Sequence, residues 1–301
     1  MQHATETDSL WGQLARGFKR NRWIVSASIR FLEWRCRDVR SFAFVASTGR
    51  SGTTTLARLF EDLPSCVALH EPYPAMKSDY ATDSHDDERL QCERFEKVKR
   101  FHILRAASQL DFYLETNHLF LKNFSEPAID YFGSRMRVIH LRRDPISVAT
   151  SFYAIRSVPG KTTLGSLYLI DPHRTDNVLS IGDVLDNDPK FSDDLYRCLW
   201  YWYEMEARVV RLREQHPELS LLHLATDDLN QPDRVRDLLG FLNLSHLADS
   251  VLPKVGLRAN EKRDEKQRTV DPEQAIAMNE QLVQMLRDRF DSRYIQVVSS
   301  S

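Results

Sequence analysis

Two kinds of hydrophobic pattern alternate along the chain. Short apolar runs bounded by turn residues recur as FAFVA at 42–46, CVAL at 66–69, DFYLET at 111–116, RVIHL at 137–141 and LSLLHL at 219–224. Between them, along 84–110, 195–215 and 235–242, apolar residues return at intervals of three and four. The first pattern fits strands packed on both faces, and the second fits helices with one apolar stripe. Strands alternating with helices predict an α/β fold, a parallel β-sheet of about five strands covered by helices on both sides.

Three stretches depart from this alternation. Residues 10–37 mix apolar side chains (Leu10, Trp11, Leu14, Phe18, Trp23, Ile24, Ile29, Phe31, Trp34) with six arginines and a lysine at roughly helical spacing. They read as one or two helices packed on the main domain with solvated basic faces, or as a helix lying on a membrane surface. Residues 156–192 follow no period, hold three glycines and three prolines, and are expected to form a long loop that acts as a lid or shapes an acceptor pocket. The run Trp200, Tyr201, Trp202 and Tyr203 is expected to pack in the core and under that lid. The predicted organisation is an N-terminal helical segment over 1–40 and a single domain over 41–301.

Composition narrows the class. A length of 301 residues permits one large α/β domain with a well-buried core. Lysine and arginine number 41 against 43 acidic residues, so there is no general excess of positive charge and nucleic acid is not an expected partner. Cys36, Cys66, Cys92 and Cys198 show no metal-ligand spacing and suit a reducing compartment. No stretch approaches 18 uninterrupted apolar residues and the first residues have no apolar signal core, so a cytoplasmic protein without an integral membrane segment is expected.

Candidate chemistry sits where strands turn into helices. After the first strand come Ser47, Thr48, Gly49, Arg50, Ser51, Gly52, Thr53, Thr54 and Thr55. Backbone N–H groups at such a turn converge on an anion, glycines allow close approach, and the hydroxyls and Arg50 add donors. The nucleoside-triphosphate version, G-x-x-x-x-G-K-[ST], fails here, since its first glycine falls on Ser47 and its lysine on Thr53. A second basic turn follows the fourth strand. There Arg143 precedes Asp144, a good helix N-cap, and Pro145, a good first helical residue, with Ser151 eight residues after the arginine. A guanidinium and a hydroxyl placed so make a phosphate clamp.

The two turns, about 90 residues apart, together resemble the donor-binding motifs of the sulfotransferase family. GRSGTT resembles its 5′-phosphosulfate loop, and Arg143 with Ser151 its 3′-phosphate motif. LLHLATDDLNQPDRVRDLLGFLNL at 221–244 resembles its late strand–turn–helix, with Thr226-Asp227-Asp228-Leu229 where many members carry Tyr-Glu-Asp-Leu. The resemblance spans roughly 41–260 and implies a P-loop-like sulfotransferase architecture. It also implies 3′-phosphoadenosine 5′-phosphosulfate (PAPS) as donor, adenosine 3′,5′-bisphosphate (PAP) as product, no metal, and a small-molecule or carbohydrate acceptor. It assigns Arg50, Ser51, Gly52, Thr53, Thr54, Thr55, Arg143 and Ser151 to the donor. Cytosolic members close the 3′-phosphate site with a late Arg-Lys-Gly string. This chain lacks it and offers Arg258 or Lys262 in a basic stretch that could equally be a solvated face.

For catalysis, Arg50 is the expected stabiliser of the leaving phosphate oxygen and Glu71 the expected base. His70-Glu71-Pro72 resembles the Glu-Pro element of carbohydrate sulfotransferases, and partial burial is expected to raise the Glu71 pKa. His118 is the rival base, displaced by one residue from the Lys-Thr-His of cytosolic members, and Lys122 could add charge to the same wall. A P-loop kinase and a catalytically silent nucleotide-binding protein are the alternative functions.

Overall fold

The structure is a computed structural model and describes residues 22–77, 84–256 and 269–295. Five parallel strands form one sheet in the order β2-β3-β1-β4-β5: β1 (Ser41–Ala46), β2 (Cys66–His70), β3 (Phe112–Thr116), β4 (Met136–Arg142) and β5 (Leu221–Ala225). The predicted α/β parallel sheet is therefore present, with each predicted run on its own strand. β1 and β3 are buried along their whole length, while the edge strand β2 is largely half-buried and β5 ranges from buried Leu224 to exposed His223 and Ala225.

Strand alternation divides the core into two layers. Phe42, Phe44, Tyr113, Met136 and Val138 face one layer, which also receives α1 (Arg22–Arg35) and the helix pair around residue 100. Ala43, Val45, Phe112, Leu114, Ile139 and Leu141 face the other, under α2 (Thr53–Leu59) and the helix Pro232–Phe241. The first layer is rich in aromatic rings. Phe44 stacks on Phe120 with centroids 5.2 Å apart and an interplanar angle of 16°. Truncating such a buried ring to alanine costs about 3–5 kcal/mol.

The stretch 84–110 is helical but not uniform. Helices Ser84–Arg94 and Arg100–Ala107 are joined by a π-turn, Phe95–Lys99, and a second π-turn, Phe120–Phe124, follows β3. Residues 156–192 depart most from expectation. They carry two short helices, Thr163–Tyr168 and Gly182–Asn187, and they bury Val158, Leu169, Ile170, Leu179, Ile181, Leu185 and Phe191 in the first layer. Elements of one or two turns are too short to print a period on the sequence, which is why the segment reads as a loop.

It is tied down by the long helix Asp194–Gln215. Buried Glu204 accepts from the backbone N–H groups of Val178 (3.1 Å) and Leu179 (2.7 Å), and Trp200 Nε1 donates to the Leu179 carbonyl at 2.6 Å. Arg22–Arg35 packs Ile29 and Leu32 into the core, followed by buried Cys36, and leaves Phe31 and Trp34 exposed; residues 1–21 lie outside the described residues. Among the described residues no helix is long and apolar enough to cross a membrane.

Candidate active site

Parallel sheets place ligands beyond the carboxyl ends of their strands. Arg50 after β1, Glu71 after β2, His118 after β3, Arg143 after β4 and Thr226 after β5 all lie at that edge. The loop after β1 is strongly curled, with Gly49, Arg50 and Gly52 at φ of 81°, 57° and 87°. Left-handed backbone at the non-glycine Arg50 costs about 1–2 kcal/mol, strain of the kind that clusters at ligand clamps. Gly52 could not be replaced without strain, since an added Cβ would also meet the Thr226 methyl at 3.0 Å. Ser51 is fully buried, and its Oγ has no hydrogen-bond partner in the protein. An orphaned hydroxyl inside a curled loop fits a cradle for an oxyanion.

The second basic turn meets the first directly. Arg143 Nη1 donates to the Arg50 carbonyl at 3.0 Å, and Arg50 Nε donates to Ser151 Oγ at 2.8 Å. Asp144 caps Pro145–Ala154 by accepting from Ser147 N–H at 2.7 Å. The resemblance assigns Arg50 and Ser151 to opposite ends of one nucleotide, yet here they are bonded to each other. That bond uses one nitrogen of a guanidinium that has five N–H donors.

Three side chains that the motifs leave unassigned hold these turns in place. The single Thr226 hydroxyl proton is shared between the carbonyls of Ser51 (2.9 Å) and Arg142 (3.1 Å), Tyr201 Oη donates to the Thr48 carbonyl (2.9 Å), and Trp202 Nε1 donates to the Arg143 carbonyl (2.9 Å). The aromatic run is thus core packing, and the polar tips of Tyr201 and Trp202 brace the site. The available signal was chemical, because a buried Tyr or Trp needs a partner for its O–H or N–H.

On the β2–β3 side, His118 Nδ1–H donates to Glu71 Oε1 at 2.6 Å. A carboxylate can only accept, so the ring carries its proton on Nδ1. The Glu71 carboxyl is lowered below its ordinary value, chiefly by this hydrogen bond, which outweighs the opposing effect of partial burial. The expected upward shift of Glu71 is therefore corrected. Burial, with Lys122 nearby, pushes His118 down to about 4, so the ring is neutral at pH 7. The Glu71 side chain is 34% exposed and that of His118 10%, which makes the carboxylate the member of the pair that an incoming group can reach.

His118 packs over Gly49, where an added Cβ would lie 3.3 Å from the ring, and it stacks on Tyr168 at 6.1 Å. Tyr168 comes from the 156–192 segment, and its carbonyl accepts from Lys122, which also lies over the Tyr201 ring at 5.0 Å. His70 Nδ1–H donates to the Thr116 carbonyl (3.1 Å), leaving Nε2 to accept from the Thr54 hydroxyl (3.2 Å). Thr53 is buried and Thr55 half-buried in the first turn of α2.

Lys254 donates to the Glu61 carbonyl, away from these groups. Arg258 and Lys262 lie outside the described residues. Among the described residues no three His, Cys, Asp or Glu side chains gather as a metal site. No disulfide joins any of the four cysteines, and burial raises the Cys66 thiol to about 11.

No family model matches the chain, and no curated protein matches it. Among solved structures, the chain is similar to the sulfotransferase domain from the Synechococcus PCC 7002 olefin synthase, at 16% identity and a TM-score of 0.44, over 82% of this chain and 94% of that one.

Proposed function

We propose that this protein is a sulfotransferase that moves a sulfuryl group from PAPS to a hydroxyl or amine of a small-molecule or carbohydrate acceptor. The observation that carries this reading is the meeting of two basic turns far apart in sequence, Arg143 on the Arg50 carbonyl and Arg50 on Ser151, beside a Glu71–His118 couple at one sheet edge. Two anion-binding turns within one nucleotide's reach suit a donor with phosphates at both ends of its ribose.

In this reading Arg143 and Ser151 hold the 3′-phosphate. The curled loop, with Ser51, Gly52, Thr53 and Thr54, holds the 5′-phosphosulfate, and Thr55 supports it from the next helical position. Arg50 lies between the two positions and meets the charge that grows on the bridging phosphate oxygen as its bond to sulfur breaks. Glu71 accepts the proton of the attacking hydroxyl or amine as the new bond to sulfur forms. His118 holds the carboxylate in line by its Nδ1–H. A carboxylate below its ordinary pKa is a weak base, but an attacking hydroxyl becomes a strong acid as it bonds to sulfur. The protein ends the cycle holding PAP, with the proton on the couple. Tyr168 and its segment form the acceptor-side wall.

The missing P-loop lysine, with Thr53 in its place, speaks against a kinase. The test is thermal stabilisation. PAP should raise the melting temperature at micromolar to millimolar concentration, by about 3 kcal/mol of added stability at 100 times its Kd, while ATP with magnesium should not. Stabilisation by ATP–magnesium and not by PAP would overturn the assignment. Transfer of label from PAPS to an acceptor panel then separates an enzyme from a silent binder.

A further inference from the structure

A fully buried ion pair lies behind the candidate site. Lys99 Nζ and Glu115 Oε1 are 2.6 Å apart, with side chains 1% and 0% exposed. Isolating two charges from water is costly, and apolar residues of equal volume often do as well for stability. The bonds of this pair to its surroundings therefore carry the interest.

The lysine has three N–H donors. One goes to Glu115, and the others reach the carbonyls of Pro72 (3.3 Å) and Pro74 (3.1 Å). Glu115 Oε2 accepts from Tyr113 Oη at 2.7 Å, and Oε1 also accepts from Asn117 Nδ2 at 2.9 Å. Asn117 then reaches the Ala75 carbonyl (3.5 Å) through Nδ2, and its Oδ1 accepts from Leu119 N–H at 3.0 Å. Asn123 Nδ2 donates to the Met76 carbonyl at 2.6 Å.

Every carbonyl gripped lies in 72–76, directly after Glu71, and the Asn117 bonds bracket His118. Both π-turns contribute, one supplying Lys99 and the other Asn123. A π-turn adds a residue to a helix and re-aims its side chains, and such turns are frequent at functional sites. The gripped loop is strained at its ends, with Glu71 at φ 47° and Met76 at φ 59°, so it needs outside support to hold this shape.

We infer that Lys99, Glu115 and Asn117 are positioning residues, forming one buried polar frame that sets Glu71 against His118. The frame reaches neither basic turn through any of these bonds, so it acts on the proton-accepting side alone. This inference rests on the proposed function only where turnover is measured, because its first readout needs no activity.

The variants are Lys99→Met/Glu115→Gln, which removes both charges at similar volume and keeps one of the two acceptor oxygens, and the milder Asn117→Ala, which keeps the ion pair. Folding is checked by circular dichroism. In histidine-labelled protein, the downfield Nδ1–H proton of His118, assigned by its absence in His118→Asn, should disappear or move upfield in both variants. In turnover assays kcat should fall about 10- to 100-fold, as expected for a displaced catalytic group, with the donor KM within about twofold. A His118 proton unmoved in a folded variant would overturn the inference, whatever the turnover. Absence of turnover in the parent protein would count against the proposed reaction while leaving the proton readout valid.

Discussion

The two halves of the candidate site are built differently. The proposed donor side, around Arg50 and Arg143, is made of local units, each a strand, a tight turn and a helix, so its groups converge because the sheet brings two such turns side by side. Its bracing comes from backbone carbonyls bound by Thr226, Tyr201 and Trp202. The proposed acceptor side, around Glu71 and His118, has no such unit. Glu71 follows an edge strand in a strained loop, and it is set by side chains from β3 and the two π-turns. Convergence of a motif and convergence through a buried network therefore predict different sensitivities: the first to loss of a single charge, the second to loss of distant polar groups.

The comparison is broken most directly at Glu71. Replacing Glu71 by Gln should lower turnover about 10²- to 10⁴-fold, the usual contribution of a general base, with PAP affinity within about twofold by calorimetry. Near-normal turnover would move the proton-accepting role to His118 or elsewhere. The opposite separation is expected for Arg143→Ala. PAP affinity should weaken about 10- to 100-fold, the loss of a charge-assisted bond worth about 1.5–3 kcal/mol, while His118 keeps its Nδ1–H signal. Unchanged affinity would remove the 3′-phosphate assignment.

The smallest effect sharpens the acceptor side through pH. His118 is held at about 4 against an ordinary 6.5, so below pH 6.5 the unfolded chain takes up a proton that the folded one refuses. The stability from this group is complete above pH 6.5 and is lost as pH falls toward 4. By pH 5.5 the loss is about 1 kcal/mol. The loss between pH 7.5 and 5.5, read from denaturant melts, should shrink by that amount in His118→Asn, and an equal loss in both proteins would mean that His118 ionises freely in the fold.

Hydrophobic patterning made all five strands and the helices within 84–110, 195–215 and 235–242 legible, though not the helix Pro272–Arg289, because a strand buried on both faces and a helix with a clean apolar stripe each impress a period on the chain. The basic turns were legible for the same local reason: Arg50 and Arg143 each sit within a few residues of the strand end that positions them. The 156–192 segment was not, since its helices are shorter than their own signal. The Glu71 shift was misjudged in direction, because burial can be guessed from a sequence but a partner 47 residues away cannot.

Interactions along the chain settle the local units: which runs become strands, which turns carry an arginine at a strand end, and which residues cap the helices that follow. These depend on interactions spanning a few residues. It took the packed fold to bring Arg143 to the Arg50 carbonyl and Glu71 to His118, and to join Lys99 and Glu115 in a buried frame beneath them. Hydrogen bonds between distant segments exist only once the sheet order has placed their strands together, and no spacing along the chain records that order.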